Sequence, residues 1–145
     1  MSLPRRRKRA KMGVRQESRV RSAAHLQWVR GHECAIAGKS FTGTMHGLAG
    51  TSIEFRSHHA CEGKIQAHHV RVTGDGTTGK KPGDDKTVPL CRTAHDTGHS
   101  IGWKSFEARY RVDLTALAAE LWKRSPHRVK YEQRQRQLEE NMYRG

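Results

Sequence analysis

Four histidines carry the residue types and spacings best suited to chemistry. His95 and His99 lie four apart in a stretch, Cys91 to Ser100, that can form a short helix, so both rings project from one face and can grip one metal ion. His68 and His69 are adjacent within KIQAHHVRV, Lys64 to Val72, which its β-branched residues and bounding glycines predict as a strand. One imidazole of such a pair can ligate while its neighbour takes a proton near neutral pH. Hydrolysis of a phosphodiester needs a base to deprotonate water, a cation to neutralise charge on the phosphate and leaving oxygen, and basic groups to hold the backbone. A His pair at helical spacing is, taken alone, more often surface decoration. A regular strand also sends neighbouring side chains to opposite faces, so His68 and His69 share a site only if the strand twists or bulges there.

The elements that must position these residues are short. Thr87 to Leu90 reads as a second strand, separated from the first by the turn-rich GDGTTGKKPGDD. Gly102 offers a left-handed cap for the helix that follows. Ala23 to Val29 predicts a short helix sealing one side of the core, and residues 38–51, rich in glycine and small polar residues, read as a loop. Asp113 is an N-cap for a helix whose stripe of Leu114, Leu117, Ala118, Leu121 and Trp122 is core. Beyond Pro126 the chain is charged all round, a frayed helix or tail. The domain organisation expected is therefore a disordered basic arm over 1–22, one folded domain over 23–125 and a charged C-terminal segment over 126–145.

Charge narrows the partners. The 145 residues hold 28 Lys and Arg against 14 Asp and Glu, a formal net charge of +14, and such a field draws polyanions, DNA or RNA first among them. From Arg5 to Arg21 the basic residues face Glu17 alone; the bland alternative for this run is a solubilising tail. A membrane partner would require a large amphipathic apolar face or a spanning run of about 20 apolar residues, and neither is present. No apolar stretch follows the basic start, so the expected compartment is the cytoplasm. Cys34, Cys61 and Cys91 cannot all pair within the chain; they are thiolate ligands or small buried hydrophobes.

The ordered set HHVR, KPxD, VPLC and HxxxH, within CEGKIQAHHVR, GTTGKKPGDDKTVPLC and the segment ending HSIGWKSFEARY, resembles the phage and prophage His-Asn-His (HNH) nucleases related to the recombination-enhancement (Ref) nuclease. The resemblance spans about Leu26 to Trp122. It implies an α+β fold with a ββα-metal (His-Me finger) core, flanking helices and a zinc-braced loop. It also implies a DNA endonuclease in which His69 is the general base and His68, His95 and His99 hold a catalytic Mg²⁺ or other divalent ion. Asp84, beside Asp85, then falls where the superfamily often has the Asn that orients the base. The resemblance further implies a structural Zn²⁺ on Cys34, Cys61 and Cys91. Where the family has a fourth ligand this chain has Ala94, and His59, His58 or His32 could compensate. Arg71, Lys80 and Lys81 fall where backbone phosphates would lie. Phage recombination or packaging proteins are the macromolecular partners such a context implies. The rival expectation is a zinc-braced nucleic-acid-binding protein without cleavage.

Overall fold

The computed structural model describes residues 19–71 and 81–145. Most of the basic run, up to Ser18, and Lys80 of the expected phosphate clamp lie outside the described residues. Among the described residues the fold is mixed α+β, with five α-helices and two two-stranded antiparallel sheets.

A first helix, α1 (Ala23–Arg30), starts where the Ser22 hydroxyl accepts a hydrogen bond from the His25 amide, a side-chain cap that satisfies one of the free N–H groups of the first turn. It buries His25 and Val29. The next two strands, β1 (Ser40–His46) and β2 (Ser52–His58), form an antiparallel ribbon. This overturns the loop expected over 38–51. Glycines and small polar residues dominate the segment, yet Phe41 and Met45 alternate with them at the period of a strand and find Ser57 and Ile53 opposite.

The second sheet pairs β3 (Gln66–His69) with β4 (Thr87–Leu90), His69 opposite Thr87 and Ala67 opposite Pro89. β3 is shorter than the run from Lys64 to Val72. All four residues of β4 are buried. Pro89 lacks an N–H but loses no ladder bond on its outer side, where its carbonyl accepts from the Ala35 amide at 2.8 Å. Directly after β4 comes α2 (Arg92–Ile101), capped by the Cys91 sulfur, which accepts from the Ala94 amide. α2 ends at Gly102, whose φ of +85° and ψ of 145° lie outside the left-handed helical region expected for the cap but remain open to glycine.

Gly102 turns the chain into α3 (Trp103–Tyr110), an element the apolar periodicity did not announce. α4 (Leu114–Arg124) follows, with Asp113 accepting from the Ala116 amide and with Leu114, Ala118 and Leu121 buried, as its stripe predicts. The C-terminal segment is helical: α5 (Pro126–Tyr143) begins with proline at its first position and Ser125 as cap, and buries nothing. The core gathers Ile36, Val88, Leu90, Cys91, Ala94, Phe106, Leu114 and Ala118 where α2, α3 and α4 meet β4.

The folded part begins earlier than Ala23. The Val20 carbonyl accepts from the Asp84 amide at 2.9 Å, the Arg21 guanidinium donates to the Pro82 carbonyl at 3.0 Å, and the Ser22 amide donates to the Asp84 carboxylate at 2.8 Å. These residues belong to the domain, not to an arm.

Candidate histidine site and metal centre

The β3–β4 ladder is regular through His69, so the two histidines part company as strand geometry requires. His69 turns to the segment that precedes β4, where its Nε2–H donates to Asp84 Oδ1 at 2.9 Å. Asp84 is buried, 5% exposed. Its burial disfavours the carboxylate, but the His69 hydrogen bond, the Ser22 amide and the charges of His69 and Arg21 outweigh that and hold its pKa below the ordinary aspartate value. Arg21 approaches the same Oδ1 at 3.5 Å. An ionised Asp84 that accepts from Nε2 keeps the proton on that nitrogen and leaves Nδ1 of His69 as the one able to accept a proton.

His68 turns the other way, toward α2 and α3. Its ring stacks on Trp103 with centroids 3.9 Å apart and lies 5.0 Å from His95 and 6.2 Å from His99. His95 and His99 meet through their Nε2 atoms at 3.2 Å, as their helical spacing predicts. Two nitrogens so close cannot both be protonated without repulsion, and burial together with His99 lowers the His95 pKa. Burial and the three neighbouring histidines lower that of His68 to about 3. All three rings contact Trp103, which can lie against α2 because Gly98 has no side chain: a Cβ there would collide with the indole.

A cleft of about 660 Å³ brings the two faces together. His68, His69, Arg71, His99, Trp103 and Lys104 line it, as do Glu107, Leu114 and Thr115. Glu107 is already engaged, its carboxylate accepting from the Leu114 amide at 2.9 Å. Among the described residues, the lysine and arginine side chains that line the cleft are Arg71, which the sequence singles out, and Lys104, which it does not. Lys81 is exposed and not among the cleft residues.

A second cluster joins the ribbon to α2. Ligand atoms of Cys34, His59, Cys61 and Cys91 all lie within 4.8 Å of one another. A tetrahedral zinc with bonds of about 2.3 Å holds its ligand atoms about 3.8 Å apart, so this Cys₃His group could hold a metal such as zinc after small adjustments. His59 therefore answers the question raised by Ala94. It follows β2 immediately, and its Nε2 lies 3.2 Å from Cys91 Sγ. His32 is elsewhere, its Nδ1 donating to the Trp28 carbonyl at 2.8 Å, and His58 ends β2 on an exposed position. Although burial opposes it, hydrogen bonds from the Thr93 hydroxyl, the Ala94 amide and His59 draw the Cys91 thiol down to about 6, while burial pushes Cys34 up. Donors around one sulfur are what a thiolate ligand needs.

No family model, curated protein or solved structure matches this chain. No helix among the described residues is long and apolar enough to cross a membrane.

Proposed function

We propose that the chain is a metal-dependent endonuclease acting on DNA, with β3, β4 and α2 serving as a ββα-metal unit and the Cys₃His group as a structural zinc centre. The observation that carries this reading is the hydrogen bond between the buried Asp84 and His69, which lines a cleft together with His68, His99, Arg71 and Lys104. A surface histidine has no need of a desolvated carboxylate fixing its tautomer; a general base does. In this mechanism Nδ1 of His69 takes a proton from water, Asp84 holds the imidazole in place and stabilises the imidazolium that results, and Arg71 and Lys104 clamp the phosphate. A divalent ion on His95, His99 and His68 would neutralise charge on the phosphodiester and its leaving 3′ oxygen.

The second reading, a zinc-braced nucleic-acid-binding protein without cleavage, is favoured by one observation. The ligand atoms that converge tightly belong to the Cys₃His group, while His68 lies flat on Trp103. Incubating the purified protein and His69→Ala with supercoiled plasmid, with Mg²⁺ or with chelator, separates the two. The nuclease reading expects metal-dependent nicking that falls about 10²- to 10⁴-fold in the variant while DNA affinity is kept. Binding without cleavage under any divalent ion leaves the binder.

A further inference from the structure

The β1–β2 ribbon has two faces of opposite character. Phe41, Met45, Ile53 and Phe55 share one face, and Met45, Ile53 and Phe55 are 62%, 65% and 39% exposed. Thr42, Thr44, Glu54 and Arg56 share the other. β1 is held to the body through Phe41, which lies against Tyr110 at 5.6 Å and beneath the Arg109 guanidinium at 4.6 Å. β2 is the outer strand, with no Pro or Lys to blunt it, and no further strand pairs with it among the described residues. The Gly47 amide donates to the Thr51 carbonyl and the His59 amide to the Lys39 carbonyl, so alternation along the ladder commits the backbone of residues 53, 55 and 57 to β1. The N–H and C=O groups of Ser52, Glu54, Arg56 and His58 then face the open edge.

We infer that this edge pairs with β2 of a second copy of the same chain, antiparallel and two-fold symmetric about Phe55. That register is self-complementary at every level. It sets Glu54 opposite Arg56 of the second copy, and Arg56 opposite its Glu54, on the one face. On the other it brings the two Phe55 rings together, with Ile53 beside Ser57. The edge groups meet as hydrogen-bonded pairs, and the centre falls on a non-hydrogen-bonded pair, as the alternation demands. Charge also selects the occupant. Glu54 and Arg56 cancel, so the ribbon brings little net charge in a chain of +14. It is therefore a poor contact for a polyanion and a region where two such chains can meet without repulsion. The same register on β1 would centre on Gly43 and set Thr42 opposite Thr44, with no Asp, Glu, Lys or Arg to pair across it.

Light scattering or sedimentation of the full chain without DNA, in about 0.15 M salt, tests this independently of cleavage. The expected species has twice the 16.5 kDa chain mass. Glu54→Arg and Arg56→Glu should each weaken association about tenfold or more by opposing like charges twice per dimer. Mixing the two variants in equal amounts should restore it, because every pair across the heterodimer is then of opposite sign. The double variant Glu54→Arg/Arg56→Glu should associate like the parent, which keeps the test informative if one single variant folds poorly. A parent monomeric up to about 100 µM, or a dimer indifferent to both reversals, overturns the inference.

Discussion

The Asp84 carboxylate is where most of the candidate chemistry converges, since it accepts from His69, from the Ser22 amide and, more distantly, from Arg21. Asp84→Asn keeps the shape but can present an amide N–H₂ to His69, which favours the tautomer with its proton on Nδ1 and removes the nitrogen that would accept from water. Cleavage should drop about 10²- to 10⁴-fold, with DNA affinity changed by less than about threefold; an active variant would remove Asp84 from the mechanism. His25 gives a residue-scale prediction that involves no substrate. It is fully buried between Trp28 and Trp122, its Nδ1 is 2.9 Å from Ser125 Oγ, and its Nε2 has no hydrogen-bond partner among the described residues. Burial first, then His127 and His32, lower its pKa to about 4 against the opposing pull of Asp84. The folded state therefore resists a proton that the unfolded chain accepts near 6.5. Stability is full above that value and falls as pH drops toward 4, by up to about 3 kcal/mol from this residue. Urea melts at pH 7 and pH 4.5 should show a smaller difference in His25→Phe than in the parent.

At the scale of elements, α2 is the hinge of the site: its first residues carry the Cys91 contacts and its last turns carry His95 and His99. Gly98 sits between those histidines on the face that receives Trp103. Alanine would gain about 1 kcal/mol of helix propensity, but the clash with a ring packed also on Phe106 should cost about 1 to 3 kcal/mol. The expected result for Gly98→Ala is a lowered Tm and altered tryptophan fluorescence. If zinc occupies the Cys₃His group, elemental analysis should find about one per chain, and a strong chelator should lower Tm in the parent but much less in His59→Ala. The histidine pair, the two strands of the second sheet and α4 are legible in the sequence because spacing and periodicity announce them. The ribbon is not, because its glycines imitate a loop unless the alternation of Phe41, Met45, Ile53 and Phe55 is followed across the turn. His59 is legible only as one of three candidates with His58 and His32: the gap at Ala94 lies downstream of Cys91, whereas the histidine that meets the cysteines stands two residues before Cys61, brought to the cluster by the ribbon. Lys104 and Trp103 have no signal beyond their place after Gly102.

For the whole molecule, the net charge of +14 sets how it meets a polyanion. Much of it is carried by the basic residues before Ser18, which a chain beginning at Arg19 would lack. Each phosphate released from a basic side chain should flatten the dependence of log affinity on log salt by about 0.9, so truncation should reduce the slope by several such steps if the run grips DNA. A slope identical to the parent's would make the run a bystander. Arg71→Ala, by contrast, should change the slope by about one step and also reduce cleavage, because it lines the cleft.

Where such a truncation is made matters more than its length. Val20, Arg21 and Ser22 are bonded to the short stretch Pro82–Asp84, so a chain starting at Ala23, the start of α1, would strip the amide and the guanidinium from the Asp84 carboxylate and would also remove the Ser22 hydroxyl that caps α1. Asp84 would keep its burial and lose two of the influences that hold it ionised, and its titration, followed by NMR, should move upward. A protease that cleaves after Arg21 would free the guanidinium from the site but leave Ser22, whose nitrogen stays beside Asp84 as an α-amine. Val20 to Ser22 thus tie the ionisation of a buried carboxylate to a segment some sixty residues away in sequence, so a cut there reaches the site without touching any residue that lines the cleft.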